Sequence, residues 1–118
     1  MSTNVRKQMI SDDLFMELTD DTFENVLAKT SALALVEFTN SWQGASQIMR
    51  PSLKKMAEEY GSQVRFYRVL VEENPRLTSK YRIGSLPVLI FFSKGRLVDK
   101  ISGIVPGDVL LDKVNKWK

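Results

Sequence analysis

The chain has 118 residues, enough for one domain with one ordinary hydrophobic core. Its 43% hydrophobic and 26% charged content is that of a globular protein, and it holds no cysteine and no histidine. Those absences exclude disulfides, thiolate catalysis, Cys–zinc and iron–sulfur centres and histidine general bases. The formal charge of +3 is unevenly spread, with three Lys/Arg against seven Asp/Glu in residues 1–48 and fourteen against seven in residues 49–118.

In chain order, residues 1–12 are polar and aperiodic, the pattern of a loose tail ahead of a folded unit spanning 13–118. This stretch has no continuous apolar segment, so a secretory signal is not expected, and no later run approaches a membrane span. A cytoplasmic location is the expectation. Leu14–Leu18 reads as a short strand. Thr19 and Asp20 are N-cap types before Phe23, Val26 and Leu27, which recur at helical spacing. Ala32–Phe38 ("ALALVEF") is an apolar run suited to a buried central strand.

After the polar loop "TNSWQGAS", Met49, Leu53, Met56, Ala57 and Tyr60 predict a second helix, stopped by Gly61. Pro51 should bend that helix or mark an irregular first turn. Val64–Val71 is another strand. Asn74-Pro75 has the form of a cap followed by a first-turn proline, with Leu77 and Tyr81 one turn apart. Val88–Phe92 ("VLIFF") is a buried strand, Lys94-Gly95 a turn and Arg96–Ser102 its hairpin partner. Pro106-Gly107-Asp108 opens a last helix with Leu110, Val114 and Trp117 on one face. The order β-α-β-α-β-α-β-β-α implies an α/β fold with a mixed, largely parallel sheet covered on both faces.

At this point the chain resembles the thioredoxin family from residue 14 onward. "LTDDTF" looks like the start of the family's first helix, and "LVEFTNSWQGAS" resembles the strand leading into its WCGPC loop. "MRPSLKKMAEEYG" is similar to the helix after that loop, and "ENPRLTSKYRIGSLPVLIFFSKG" resembles the family's N-P…Y-x-I…P-T…F…G run. The resemblance implies the thioredoxin fold, a central mixed five-stranded sheet flanked by four helices.

The departure lies in the loop. The resemblance puts the family's two redox cysteines at Gln43 and Ser46 and the intervening proline at Ala45. Dithiol exchange needs a thiolate nucleophile and a second, resolving thiol. An amide cannot attack a disulfide, and an unassisted serine hydroxyl is no nucleophile near pH 7. Thiol–disulfide oxidoreductase activity is therefore not expected, and no catalytic residue is assigned.

Other family positions keep their character. Glu37 falls at the buried acid beneath the loop and Arg68 at a buried lysine on the neighbouring strand. A buried acid must be paired or neutral, so a Glu37–Arg68 ion pair is expected. Pro87 after Leu86 falls at the family's cis-proline, beside a groove whose backbone can take up an extended peptide. The family's apolar docking surface maps onto Trp42, Val71, Leu86, Pro87, Gly103 and Ile104.

These readings lead to a redox-inactive, thioredoxin-like protein-binding module with a chaperone, assembly or scaffold role, its partner another protein or an extended peptide. The alternative is an accessory subunit that meets an acidic or nucleic-acid-bound partner through its basic C-terminal part. Nucleic acid itself is not the expected partner, because the basic residues are dispersed among Glu58, Glu59, Glu72 and Glu73 without interleaved aromatics. A third reading, a glutathione-type thiol-binding enzyme using Ser46 or a tyrosine at the helix N-terminus, rests on fold analogy alone. No metal, cofactor or membrane is expected.

Overall fold

A computed structural model describes residues 15–41 and 44–118; the backbone but not the side chains of residues 44–46 is included. The tail 1–12, Leu14, Trp42 and Gln43 lie outside the described residues. In chain order the elements are β1 (Met16–Glu17), α1 (Phe23–Ala28), β2 (Leu33–Thr39), α2 (Gly44–Tyr60), β3 (Val64–Leu70), α3 (Pro75–Lys80), β4 (Val88–Ser93), β5 (Arg96–Ser102) and α4 (Gly107–Trp117). Short 3-10 turns at Gly61–Gln63 and Val71–Glu73 flank β3. The described residues form a five-stranded sheet in the order β1-β3-β2-β4-β5. β1, β3 and β2 run parallel, and β4 and β5 are antiparallel to their neighbours. This is the thioredoxin fold.

Period-two alternation divides the core between the two faces of the sheet. Leu33 and Leu35 of β2, Val64 and Phe66 of β3 and Leu89 and Phe91 of β4 pack with Met49, Leu53 and Met56 of α2 and Leu110 and Val114 of α4. Ala34, Val36 and Phe38, Tyr67 and Val69, and Val88, Ile90 and Phe92 pack instead with Phe23 and Leu27 of α1 and Leu77 of α3. A strand buried on both faces is mostly apolar, which is why β4 reads as a continuous apolar run from Val88 to Phe92 and β2 departs from one only at Glu37 and Thr39. On the second face Phe23, Phe38, Tyr81 and Phe92 form a ring cluster, with centroids 5.5 to 6.5 Å apart and tilted to edge-on geometry.

Three local features bear on the sequence expectations. α2 runs through Pro51 as one helix from Gly44 to Tyr60, so the proline is accommodated without a break. Thr22 directly precedes α1 but makes no side-chain cap; Thr19 does the capping, its Oγ1 accepting from the Asp21 amide at 3.3 Å and its carbonyl from the Phe23 amide at 3.0 Å, while Thr22 Oγ1 accepts from the Thr19 amide at 3.0 Å. Asp20 serves a different helix: its carboxylate accepts from the amides of Arg76 (3.2 Å) and Leu77 (2.9 Å), two of the donors that α3 leaves open at its N-terminus. Asn74 stands at the cap position of α3, but its side chain ties the neighbours together. Its Oδ1 accepts from the Asp20 amide at 2.8 Å, and its Nδ2 donates to the Leu70 carbonyl at 2.8 Å.

Lys94 (φ 52°) and Gly95 (φ 80°) make the two-residue turn between β4 and β5. Positive φ at both central residues matches the right-handed twist of the hairpin; glycine adopts it freely, and lysine does so at some cost.

Candidate functional site

The topology brings four strand ends to one rim. Thr39 at the end of β2 pairs with Leu70 at the end of β3, Phe38 pairs with Val88 at the start of β4, and Val88 pairs with Ser102 at the end of β5. The segments that follow or precede these ends lie side by side: Val71–Glu73, Asn40–Ser41, Leu86–Pro87 and Gly103–Ile104. With neighbouring strands about 4.8 Å apart, they span roughly 14 Å, the width of a short extended peptide lying across them. α2 begins at this rim with Gly44. Crevices at the carboxyl ends of parallel strands are where open α/β sheets place ligands.

The rim is held by named contacts. The Leu86–Pro87 peptide bond is cis. Pro87 is buried, and its carbonyl accepts from the Gly103 amide at 2.8 Å, which ties the start of β4 to the end of β5. Gly103 sits at φ 89°, a conformation that disfavours any side chain. It turns the chain so that Ile104, 48% exposed, stands at the surface. Leu86 is half-buried. Val71 is half-buried against the α1/α3 side of the core. On the other flank, Glu72 Oε2 accepts from the Ser41 amide at 3.2 Å. Hydrogen bonding, first from the Ser41 side chain, holds the Glu72 carboxyl below the usual glutamate range.

Beneath the rim, Glu37 of β2 and Arg68 of β3 are register partners on the α2/α4 face. Glu37 is 1% exposed and accepts from Arg68 Nε at 3.1 Å. The Arg68 guanidinium also lies 4.7 Å from the centroid of the Phe15 ring, so its flat face is covered by an aromatic while its edge meets the acid. The carboxylate thus sits in the core with its charge answered from the neighbouring strand.

Of the residues that the sequence singles out, Val71, Leu86, Pro87, Gly103 and Ile104 are gathered at the rim. Trp42 and Gln43 lie outside the described residues, as does the side chain of Ser46, the third residue of α2. Two further residues border the rim. Glu72 is one. The other is Ile48, 67% exposed on α2. Ile48 falls one position out of phase with the buried Met49–Leu53–Met56 stripe, a signal that the helical spacing already contains. It stands one turn before Ser52, whose Oγ lies 3.1 Å from where a Cβ on Gly107 would be. Ile48 thus lies on the helix that begins at the rim, and Ile104 on the segment that leads from β5 into α4. Among the described residues no group of three or more Asp and Glu is placed to hold a metal ion, and no helix is long and apolar enough to cross a membrane.

The thioredoxin family model matches residues 14–116. Thioredoxin 1 of Synechococcus elongatus is 34% identical over 99 residues, covering 84% of this chain and 92% of its own. Thioredoxin of Pyropia yezoensis is 31% identical over 101 residues, covering 86% and 94%. Among solved structures, a chain described with the thiol resolving mechanism in yeast mitochondrial 1-Cys peroxiredoxin via glutathione/thioredoxin systems superposes with a TM-score of 0.76 at 25% identity, covering 86% of this chain and 94% of that one. The match runs across the whole rim and through the loop where thiols are absent. This chain belongs to the thioredoxin family and carries its active-site segment without cysteine.

Proposed function

We propose that the protein is a redox-inactive thioredoxin-like binding module that takes an extended apolar segment of another protein across the rim formed by Val71, Leu86–Pro87 and Gly103–Ile104, with Trp42 assigned to the same surface by the family resemblance alone. A chaperone, assembly or scaffold role follows from such a surface. With no thiol in the chain, neither the attacking nor the resolving step of disulfide exchange has a nucleophile, so the rim serves recognition alone.

The observation that carries this reading is the exposure of Ile104 and Ile48 at the rim, on a domain whose other large apolar side chains are mostly buried. Exposed aliphatic groups beside a groove supply the area that an apolar partner would cover. The Leu86 segment, just ahead of β4, offers backbone for strand-like pairing, and side-chain pockets would select alternate residues of the ligand.

A selection from a displayed library of extended peptides tests this. Wild type should enrich apolar sequences, and Ile104→Asp should weaken the selected peptide by about tenfold or more, as expected for a charge placed in a desolvated contact. The binding should persist between low and physiological salt, because apolar burial is not screened. Unchanged binding by Ile104→Asp, or binding that collapses with added salt, would reject the rim in favour of a charge-led contact by the basic C-terminal part.

A further inference from the structure

The end of the sheet opposite the rim holds a second site, independent of the function proposed above. β2 and β3 begin there as paired neighbours, Leu33 beside Val64, next to the end of α1. The end of α1 and the segment after it line, with Ser62 and β3, a cleft of about 520 Å³ whose polar lining is Lys29, Thr30, Ser31, Ser62, Arg65 and Tyr67. No carboxylate lines it.

Three of the acceptors beside it are engaged. The Val26 carbonyl accepts from the Lys29 amide (3.1 Å) and from Thr30 Oγ1 (2.8 Å), and the Leu27 carbonyl accepts from the Thr30 amide (3.1 Å). The single hydroxyl proton of Thr30 is thereby assigned, so the buried Tyr67 hydroxyl is the donor in its 2.8 Å contact with Thr30 Oγ1. The other polar residues that line the cleft carry donors and cations: Lys29, Arg65, Ser31 and Ser62. Among the described residues none of these four side chains has an ion-pair or hydrogen-bond partner.

The neighbourhood has the same sign. The β4–β5 turn rests on the end of α1, where a Cβ on Gly95 would lie 3.9 Å from Ala28 Cα. It brings Lys94 and Arg96 to the same end of the molecule. Residues 26–34, 61–66 and 93–97, which build this end, contain no Asp or Glu.

We propose that the cleft is a binding site for an oxyanion of the phosphate class. Arg65 supplies a two-pronged donor, Lys29 a point charge, and Ser31 and Ser62 supply neutral donors. A free phosphate ester and a lipid phosphate headgroup present the same chemistry to these groups.

The test follows backbone amide resonances of the full chain during titration with inorganic phosphate, at ionic strength held constant with sodium chloride. Saturable shifts at Ser31, Ser62 and Arg65, without shifts at Gly103 and Ile104 of the rim, are expected, with half-saturation in the millimolar range typical of a small anion on a surface cleft. Arg65→Gln and Lys29→Gln, both at exposed positions, should each weaken this about tenfold while leaving the rest of the spectrum unchanged. Sedimentation with vesicles of phosphatidic acid in phosphatidylcholine separates the sources. Retention abolished by Arg65→Gln assigns the headgroup, and phosphate-dependent shifts without retention assign a soluble ester. Absence of saturable shifts, shifts of equal size with chloride alone, or shifts unaltered in both variants would overturn the proposal. So would duplex DNA that binds while phosphate leaves these amides unmoved, since that result describes a diffuse basic surface.

Discussion

At the scale of single residues, the Glu37–Arg68 pair is the most consequential departure from an apolar core. Its two members are adjacent in register, and each has only the other's charge within the 3.1 Å contact. Removing one partner of a buried pair leaves the other charge uncompensated, which costs about 3–5 kcal/mol when both are fully buried. Arg68 retains 20% side-chain exposure, so its loss should fall toward the low end of that range. Arg68→Met is expected to lower the urea-unfolding free energy by about 3 kcal/mol. Arg68→Met with Glu37→Leu should recover much of that loss, because an apolar pair fits the site without desolvating an ion. The exposed Lys80–Glu24 pair, 3.0 Å apart, provides the contrast, since its disruption should leave stability unchanged. A double variant no more stable than Arg68→Met alone would show that the pair is not the relevant unit.

At the scale of elements, the described residues expose β5 as the outer strand of the sheet, and α4 is fastened to it by one acid. Asp99 accepts from Trp117 Nε1 at 2.8 Å and from Lys113 Nζ at 3.0 Å. Burial acts to raise the Asp99 pKa, but the hydrogen bonds from Trp117 and Lys113 outweigh it and hold the carboxyl below the usual aspartate range. A depressed folded-state pKa contributes stability above the unfolded value near 3.9, and that contribution is lost as pH falls through the lower folded value. Asp99→Asn should therefore cost roughly 1 kcal/mol at pH 7, and the difference from wild type should shrink as pH falls below about 4. Equal slopes of stability against pH in the two proteins would contradict this. The same contact marks the limit of what the chain itself discloses. Helical and period-two spacing place α2, α4 and the buried strands because each pattern repeats within a few residues. The docking of Trp117 on Asp99 and the capping of α3 by Asp20 join positions 18 and 56 or more apart, and no local pattern encodes them. Asp20 has the residue type of a cap, but the fold decides which helix receives it. At the site, family spacing collects the rim positions, whereas Ile48 shows only as an aliphatic residue one position off the buried Met49–Leu53–Met56 stripe, which marks it as exposed but not as part of a site.

At the scale of the whole molecule, losing thiols and losing the architecture that serves them are separable events. Gln43 directly precedes α2 and Ser46 is its third residue. The family resemblance puts its two cysteines at these positions, and a helix N-terminus favours a thiolate. Glu37 still lies buried beneath that end of β2. Wild type should accelerate insulin reduction by dithiothreitol not at all. Gln43→Cys with Ser46→Cys should form an internal disulfide and accelerate the reaction about fivefold or more over the dithiothreitol control, since a low-pKa attacking thiol and a nearby resolving thiol are the chemical requirements. Turnover by the double variant would mean that the rim still receives an extended polypeptide across Leu86–Pro87 and Ile104, and that only the reagent is gone. A variant that forms the disulfide yet leaves insulin unreduced would mean that the rim no longer admits an extended chain. The binding role proposed for it would then fail together with the chemistry, whereas the oxyanion cleft at the opposite end of the sheet would stand unaffected.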